Sequence, residues 1–348
     1  MKRPPQTHGV EPAETAPPPP VMQLATGFWI SQALYVAAKL GIADLLERGP
    51  QSSEALARGA GAHAGALHRV LRALASFGIF AEDEDGRFRN TPAAQRLQTG
   101  RPDSLRAFVI MQGEPESWRS WGDMLHSVRT GQSAFEHVFG SPMFQYMAEH
   151  HEAARIFDEA MISRSASENE AVLMAYDFSG ADRLIDVGGG RGALLLAILK
   201  VWPRARGVLF DLPHVIDGAR MSLGSSAEAG RCRPVSGDFF RDALPAGGDV
   251  YLIKKIIHNW DDERAWTILQ GCRRAMSGNA RLLLIEPINQ PGDGASYAKL
   301  LDLLMLVLPG GQERTESEHR ALLASAGLYL SRVIPTQSPL SIIEASPM

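Results

Sequence analysis

Cysteine is scarce in this chain. Cys232 and Cys272 are the only two among 348 residues, and neither sits in a CxxC pair or beside a histidine cluster. That argues against a disulfide framework and a cysteine-ligated zinc site, and for two thiols in a reducing cytoplasm. An excess of charge of one sign is missing as well: 35 Lys and Arg face 39 Asp and Glu, a formal charge of −4. Such a balance gives no electrostatic reason to expect nucleic acid as a partner. No apolar run reaches the ~18 residues of a spanning helix, so no membrane partner is expected. The start, Met1 to Pro20, lacks the apolar stretch of a signal peptide; it is polar, ends in Pro17-Pro18-Pro19-Pro20 and reads as a disordered arm. His150-His151-Glu152 is not HExxH and reads as solvated helix, and no metal is expected. No internal repeat is visible.

What is present is ordinary globular composition, 45% apolar and 21% charged, in a chain long enough for one large and one small domain. From Gln23 to about Leu97 the pattern is helical. Leu24, Trp29, Ala33, Val36, Ala37 and Leu40 recur at spacings of three and four, which predicts an amphipathic helix. Ser52-Ser53-Glu54 resembles a capped helix start, and Leu67, Val70, Leu71, Leu74 and Ala75 line one face of another helix that Gly78 stops. Ile79-Phe80-Ala81 and Arg87-Phe88-Arg89, around an acidic turn, read as a hairpin. Helices followed by a hairpin make a winged-helix pattern. It serves either DNA binding or dimerisation, and His68, Arg69 and Arg72 are a thin basic face for the first.

Residues from about Ser104 to Tyr176 are again helical and rich in aromatics and methionine. Most of these belong to an ordinary core, and a subset is expected to line an apolar pocket for a flat substrate. After Tyr176 the texture changes to short buried strands at Arg183–Val187, Arg206–Phe210, Asp249–Ile253 and Arg281–Ile285. Helices Ala193–Val201 and Asp262–Met276 fall between them. This alternation predicts a parallel, doubly wound α/β sheet, closed by an antiparallel pair at Tyr329–Ile334 and Leu340–Ala345.

Asp186-Val187-Gly188-Gly189-Gly190-Arg191-Gly192 follows the first of these strands and opens a helix. Glycines there let the backbone turn tightly and approach a ligand. Asp211 ends the next strand, where a carboxylate can accept both ribose hydroxyls of an adenosine. A dinucleotide fingerprint tolerates Ala193 at its third position, so NAD stays open beside a sulfonium cofactor whose loop reads DxGxGxG. Asp238 can accept the adenine amino protons, and Phe239 can stack on the ring. The run Leu252 to Glu263 ends the strand Asp249–Ile253, on the side where ligands bind in this architecture. It carries His258, whose ordinary pKa suits removal of a phenolic proton. Glu286, at the end of the next strand, is placed to accept the imidazole Nδ1–H, and Glu313 to flank the same ring. Asp261-Asp262-Glu263 reads as a helix N-terminal cluster favoured by the dipole, not as a metal site.

These stretches together resemble the caffeate/flavonoid-type O-methyltransferase family, including bacterial natural-product members that modify phenazines, mitomycins and polyketides. The resemblance runs from about Gln23 to the end, through ATGFWISQALYVAAKLGIADLL, LHRVLRALASFGIF, LIDVGGGRGALL, FDLPHVI, SGDFF, LIKKIIHNWDDE, LLLIEP and GGQERTESEH. It implies an α/β fold, a class I methyltransferase Rossmann-like sheet behind a winged-helix N-terminal dimerisation domain. The chain then divides into an arm (1–20), a dimerisation domain (21–103), a helical connector lining the substrate pocket (104–176) and a catalytic domain (177–348). The resemblance implies S-adenosylmethionine as methyl donor, a small aromatic hydroxyl compound as acceptor, and a homodimer whose partner subunit partly roofs the site. By matched position His258 is the base and Glu286 and Glu313 steer it. Gly188, Asp211, Asp238, Phe239, Lys254 and Ser165 contact the cofactor, and Met161 lies near the transferred methyl. Asp302 is assigned to the substrate side; the stretch from it to Gly311 is more apolar than in plant members. Asn259 stands where the family commonly has Asp. Some relatives of this fold methylate nitrogen or carbon, or have turned to hydroxylation or pericyclic chemistry. Retention of His258 and both glutamates argues against loss of methyl transfer here, and methylation of nitrogen or carbon stays open as the alternative.

Overall fold

The computed structural model describes residues 20–224 and 226–348. The expected arm lies outside the described residues except for Pro20, which opens the first helix. The chain forms two compact units, parting between Ala94 and Gln95.

In the first unit, the helix Pro20–Lys39 is followed by short helices and a three-stranded sheet of β1 (Gln51–Ser52), β2 (Phe80–Glu82) and β3 (Arg87–Asn90), in the order β1-β3-β2. Ser52 caps the helix Ser53–Ala60 by accepting from Ala55 N–H at 3.3 Å. The helix Ala64–Ser76 buries Leu67, Leu71 and Leu74, the face its spacing predicts. The first helix departs from expectation. Ala37 and Ala38 are buried, but Leu24 and Trp29 stay 83% and 62% exposed. The apolar stripe is real; its N-terminal half finds no cover among the described residues. His68 is turned inward as well: its ring nitrogen lies 2.9 Å from Ser53 Oγ, and its ring packs edge-on against Phe88.

The second unit begins with helices between Arg106 and Ala175 and continues into a seven-stranded sheet. Its strands are β4 (Arg183–Val187), β5 (Arg206–Asp211), β6 (Cys232–Ser236), β7 (Val250–Lys254), β8 (Arg281–Glu286), β9 (Leu328–Pro335) and β10 (Ser341–Pro347), in the order β6-β5-β4-β7-β8-β10-β9. The five from β4 to β8 are parallel, and β10 and β9 join antiparallel. Parallel strands are buried on both faces, which is why they read as unbroken apolar runs. Leu282 and Leu284 of β8 pack with Ile268, Leu269 and Leu323 on one face. Leu283 and Ile285 pack with Leu195, Ile198 and Ile216 on the other. β4 lies between β5 and β7, so the strand order reverses at that point and opens a crevice at the carboxyl ends.

Candidate active site at the carboxyl ends of the parallel strands

The turn after β4 is built by backbone geometry. Gly188, Gly190 and Gly192 have φ of 70°, 59° and 79°, a region L side chains avoid. A Cβ on Gly188 would stand 2.8 Å from the Ile256 side chain, whereas one on Gly190 would meet nothing within 4 Å. The turn is therefore packed from below and open at Gly190. Asp211, ending β5, accepts from Gly190 N–H at 2.8 Å and Leu212 N–H at 2.7 Å. Burial raises its pKa against these two bonds. Asp186, buried beneath the turn, is pushed up to about 7 by desolvation and then by the charge of Asp211, with Lys254 opposing. Asp238 accepts from Phe240 N–H at 2.9 Å. The Phe239 ring lies 3.6 Å from the Cβ position of Gly188 and meets Trp260 edge-on. An open glycine turn, a carboxylate beside it and an aromatic ring over it fit an adenosine group.

The long helix His151–Ala175 brings Glu168 and Asn169 against the lysines at these strand ends. Ser165 Oγ turns back to Met161 O at 2.8 Å. Asn169 Oδ1 accepts from Lys254 Nζ at 2.7 Å, and Glu168 lies 3.0 Å from Lys254 and 3.3 Å from Lys255. Glu168 and Asn169 are buried polar groups that the sequence reading did not single out. Lys255 is the one non-glycine with positive φ among the described residues, at 56°. Such backbone strain persists where its surroundings hold it.

His258 sits in the 3₁₀ turn Ile257–Asn259 after β7, 5% exposed. Its Nδ1 is 2.7 Å from Glu313 Oε1, both side chains buried. A carboxylate only accepts, so Nδ1 carries the hydrogen and Nε2 keeps its lone pair. Burial alone would lower the imidazole pKa; the bond and charge of Glu313, helped by Glu286, outweigh it and raise it. Glu286 corrects the expected pairing. Its Oε1 accepts from the backbone N–H groups of Ile256 and His258, at 3.1 and 3.2 Å, not from the ring. At the end of β8 it faces the turn's peptide groups, and Glu313 arrives from the other side. Burial also raises the Glu286 pKa, partly offset by His258. The second oxygens of both glutamates, Oε2, are buried without a hydrogen-bond partner, leaving two acceptors beside the imidazole.

Asp302 Oδ1 accepts from Glu313 N–H at 2.8 Å, so one of its oxygens holds the segment that carries Glu313. Arg314 was missed by sequence reading because an arginine in a loop looks solvated. Here it is 1% exposed and donates to Ile257 O at 3.2 Å, Trp260 O at 2.9 Å and Asp262 Oδ1 at 2.8 Å. Gly311 permits the close approach: a Cβ there would lie 2.0 Å from His258 O. Trp260 is the meeting point of Phe144 (5.6 Å between ring centroids) and Phe240 (4.9 Å). Of these rings Phe144 alone comes from the helical stretch before Tyr176, from which a pocket-lining subset is expected. Phe135, Phe139 and Tyr146 form a separate group.

Two family models match the chain: an O-methyltransferase domain over residues 118–329 and an O-methyltransferase dimerisation domain over 22–100. This chain belongs to the O-methyltransferase family. Phenazine O-methyltransferase PhzM of Lysobacter antibioticus is 49% identical, over 94% of this chain and 96% of that one. The crystal structure of LaPhzM superposes with a TM-score of 0.90 at 49% identity, covering 94% of this chain and 98% of that one. The S-adenosylhomocysteine-bound form of CalO1, a methyltransferase in calicheamicin biosynthesis, matches with a TM-score of 0.83 at 36% identity, over 94% and 97% of the two chains. The winged-helix reading thereby resolves toward dimerisation, in agreement with an inward His68. Among the described residues no helix is long and apolar enough to cross a membrane.

Proposed function

We propose that this chain transfers a methyl group from S-adenosylmethionine to a hydroxyl of a small aromatic compound, as a homodimer, with His258 as general base. The observation that carries this reading is the 2.7 Å contact of His258 Nδ1 with Glu313, which leaves Nε2 as the basic nitrogen. The bound cofactor supplies an electrophilic methyl on a sulfonium centre.

Gly188, Asp211, Asp238, Phe239, Lys254 and Ser165 hold the cofactor in this reading. Asp211 accepts from the ribose, Asp238 from the adenine amino group, and Phe239 packs on the ring. His258 Nε2 takes the acceptor's hydroxyl proton as the oxygen becomes nucleophilic. Glu313 fixes the tautomer and stabilises the imidazolium that results, and Glu286 holds the turn that carries it. Met161 and Asp302 lie on the acceptor side. The Phe144 and Trp260 rings give a flat acceptor an apolar wall, and the phenazine named for the 49%-identical relative is a flat aromatic of that kind. Positioning supplies most of the rate in such a transfer.

The test is incubation with S-adenosylmethionine and a panel of hydroxylated aromatics, hydroxyphenazines among them. Mass spectrometry and NMR locate the methyl. A methyl on oxygen is expected, with a loss of about 10²-fold or more in His258→Ala. Full activity in that variant removes His258 as the base; a methyl on nitrogen or carbon, or an inserted oxygen, overturns the reaction assignment.

A further inference from the structure

Three metal-ligating side chains, apart from the His258 machinery, converge on the helical segment of the second unit. Asp123 precedes the helix Met124–Thr130, His126 lies in its first turn, and His137 stands on the next helix, Ala134–Phe139. His137 Nδ1 is 2.6 Å from Asp123 Oδ2. The His126 and His137 rings stack at 3.9 Å with planes 6° apart. One ligand atom from each of the three lies within 4.8 Å of the other two.

The backbone fixes these positions. The chain reverses at Gly131, whose φ is 73°. His126 N–H donates to Asp123 O at 2.9 Å and His137 N–H to Ser133 O at 3.2 Å. Ser133 also caps its helix and donates to Leu308 O at 2.6 Å. The His137 and Asp123 side chains are 56% and 34% exposed, so an ion and its water can reach them.

We propose that Asp123, His126 and His137 bind a divalent transition metal of the zinc type, with water completing the coordination. Two imidazoles and one carboxylate are a zinc donor set, whereas calcium and magnesium take oxygen ligands. Tetrahedral arms of about 2.1 Å place ligand atoms roughly 3.4 Å apart. Reaching that spacing requires the Asp123–His137 contact to open from 2.6 Å and the His126 ring to turn out of the stack toward it. The ion replaces the direct contact between Asp123 and His137. It ties the two helices together and, through Ser133, braces them against the chain just ahead of Gly310–Arg314. Its role is structural and separate from methyl transfer. Spacing in sequence hides it, because His137 joins the pair only through the turn at Gly131.

The full-length chain, without an affinity tag, is equilibrated with Zn²⁺, passed through gel filtration and assayed for metal. About one zinc per chain is expected. His126→Ala/His137→Ala is expected to retain none while keeping its circular dichroism and methyl transfer. Co²⁺ gives the second readout: wild type develops the visible absorption of a four-coordinate site, and His137→Gln loses it. That single variant decides the matter if the double one fails to fold. No retained zinc in wild type, equal zinc in the double variant, or an unchanged Co²⁺ spectrum in His137→Gln overturns the site.

Discussion

A buried histidine beside two glutamates answers to opposing forces, and the balance predicts a pH profile. Burial disfavours the imidazolium of His258, while Glu313 and Glu286 favour it more strongly, so its pKa is raised. In the proposed role of base, His258 works only when neutral. The acidic limb of kcat/KM is therefore expected above the ordinary histidine value of about 6.5. In Glu313→Gln the bond to a charged acceptor is gone and burial gains weight. The limb is expected to move toward lower pH, even as the rate falls by roughly 10²-fold for want of a stabilised imidazolium. A limb that stays put or moves to higher pH shows that Glu313 does not set the basicity. At this scale the sequence singled out His258 and the two carboxylates that the fold brings around it. It exchanged their partners, because strand-end position says that a carboxylate is near the turn and not whether it faces ring or backbone. Glu168 and Asn169 escaped for a related reason: their partners Lys254 and Lys255 are distant in sequence, and only folding shows them buried.

The element that matters most for the chemistry is the 3₁₀ turn Ile257–Asn259. Its own backbone supplies two short-range bonds, Asn259 N–H to Ile256 O and Trp260 N–H to Ile257 O. Glu286 holds its N–H groups, Gln312 N–H holds His258 O at 2.9 Å, and Arg314 holds carbonyls on either side of the histidine. Arg314→Ala strips the guanidinium from both carbonyls; Ile257 O keeps the Trp260 N–H, while the half-buried Trp260 O loses its donor, at a cost of about 1–3 kcal/mol. The substitution also loosens the base, and a misplacement near 1 Å costs roughly 10²-fold in rate. The expected signature is a fall in kcat with KM little changed, and partial recovery in Arg314→Lys, which restores the charge without the planar fork. Wild-type kcat in a folded Arg314→Ala protein contradicts the clamp. Element boundaries were legible wherever the chain is apolar on both sides, as in β4, β7 and β8. The turn was not, since its shape is imposed by Arg314 and Gly311 from a later segment.

For the whole molecule, the α/β order and the antiparallel closing pair could be read from the sequence, because alternating strand and helix leave few topologies open. The destination of the first helix could not. Periodicity reports that a face is apolar, not whose atoms cover it. Leu24 and Trp29, the exposed half of that stripe, lie within the segment matched by the dimerisation model. Leu24→Asp/Trp29→Asp is expected to move the protein from dimer to monomer in light scattering at micromolar concentration. A double variant that stays dimeric places the interface elsewhere.

The bare stripe on that first helix also bears on heat resistance. If a second copy shields it, each molecule borrows part of its cohesion from an encounter, and encounters thin out on dilution. The melting temperature should then climb with enzyme concentration and sink in dilute samples. A purified stock kept concentrated would outlast the same protein at assay strength.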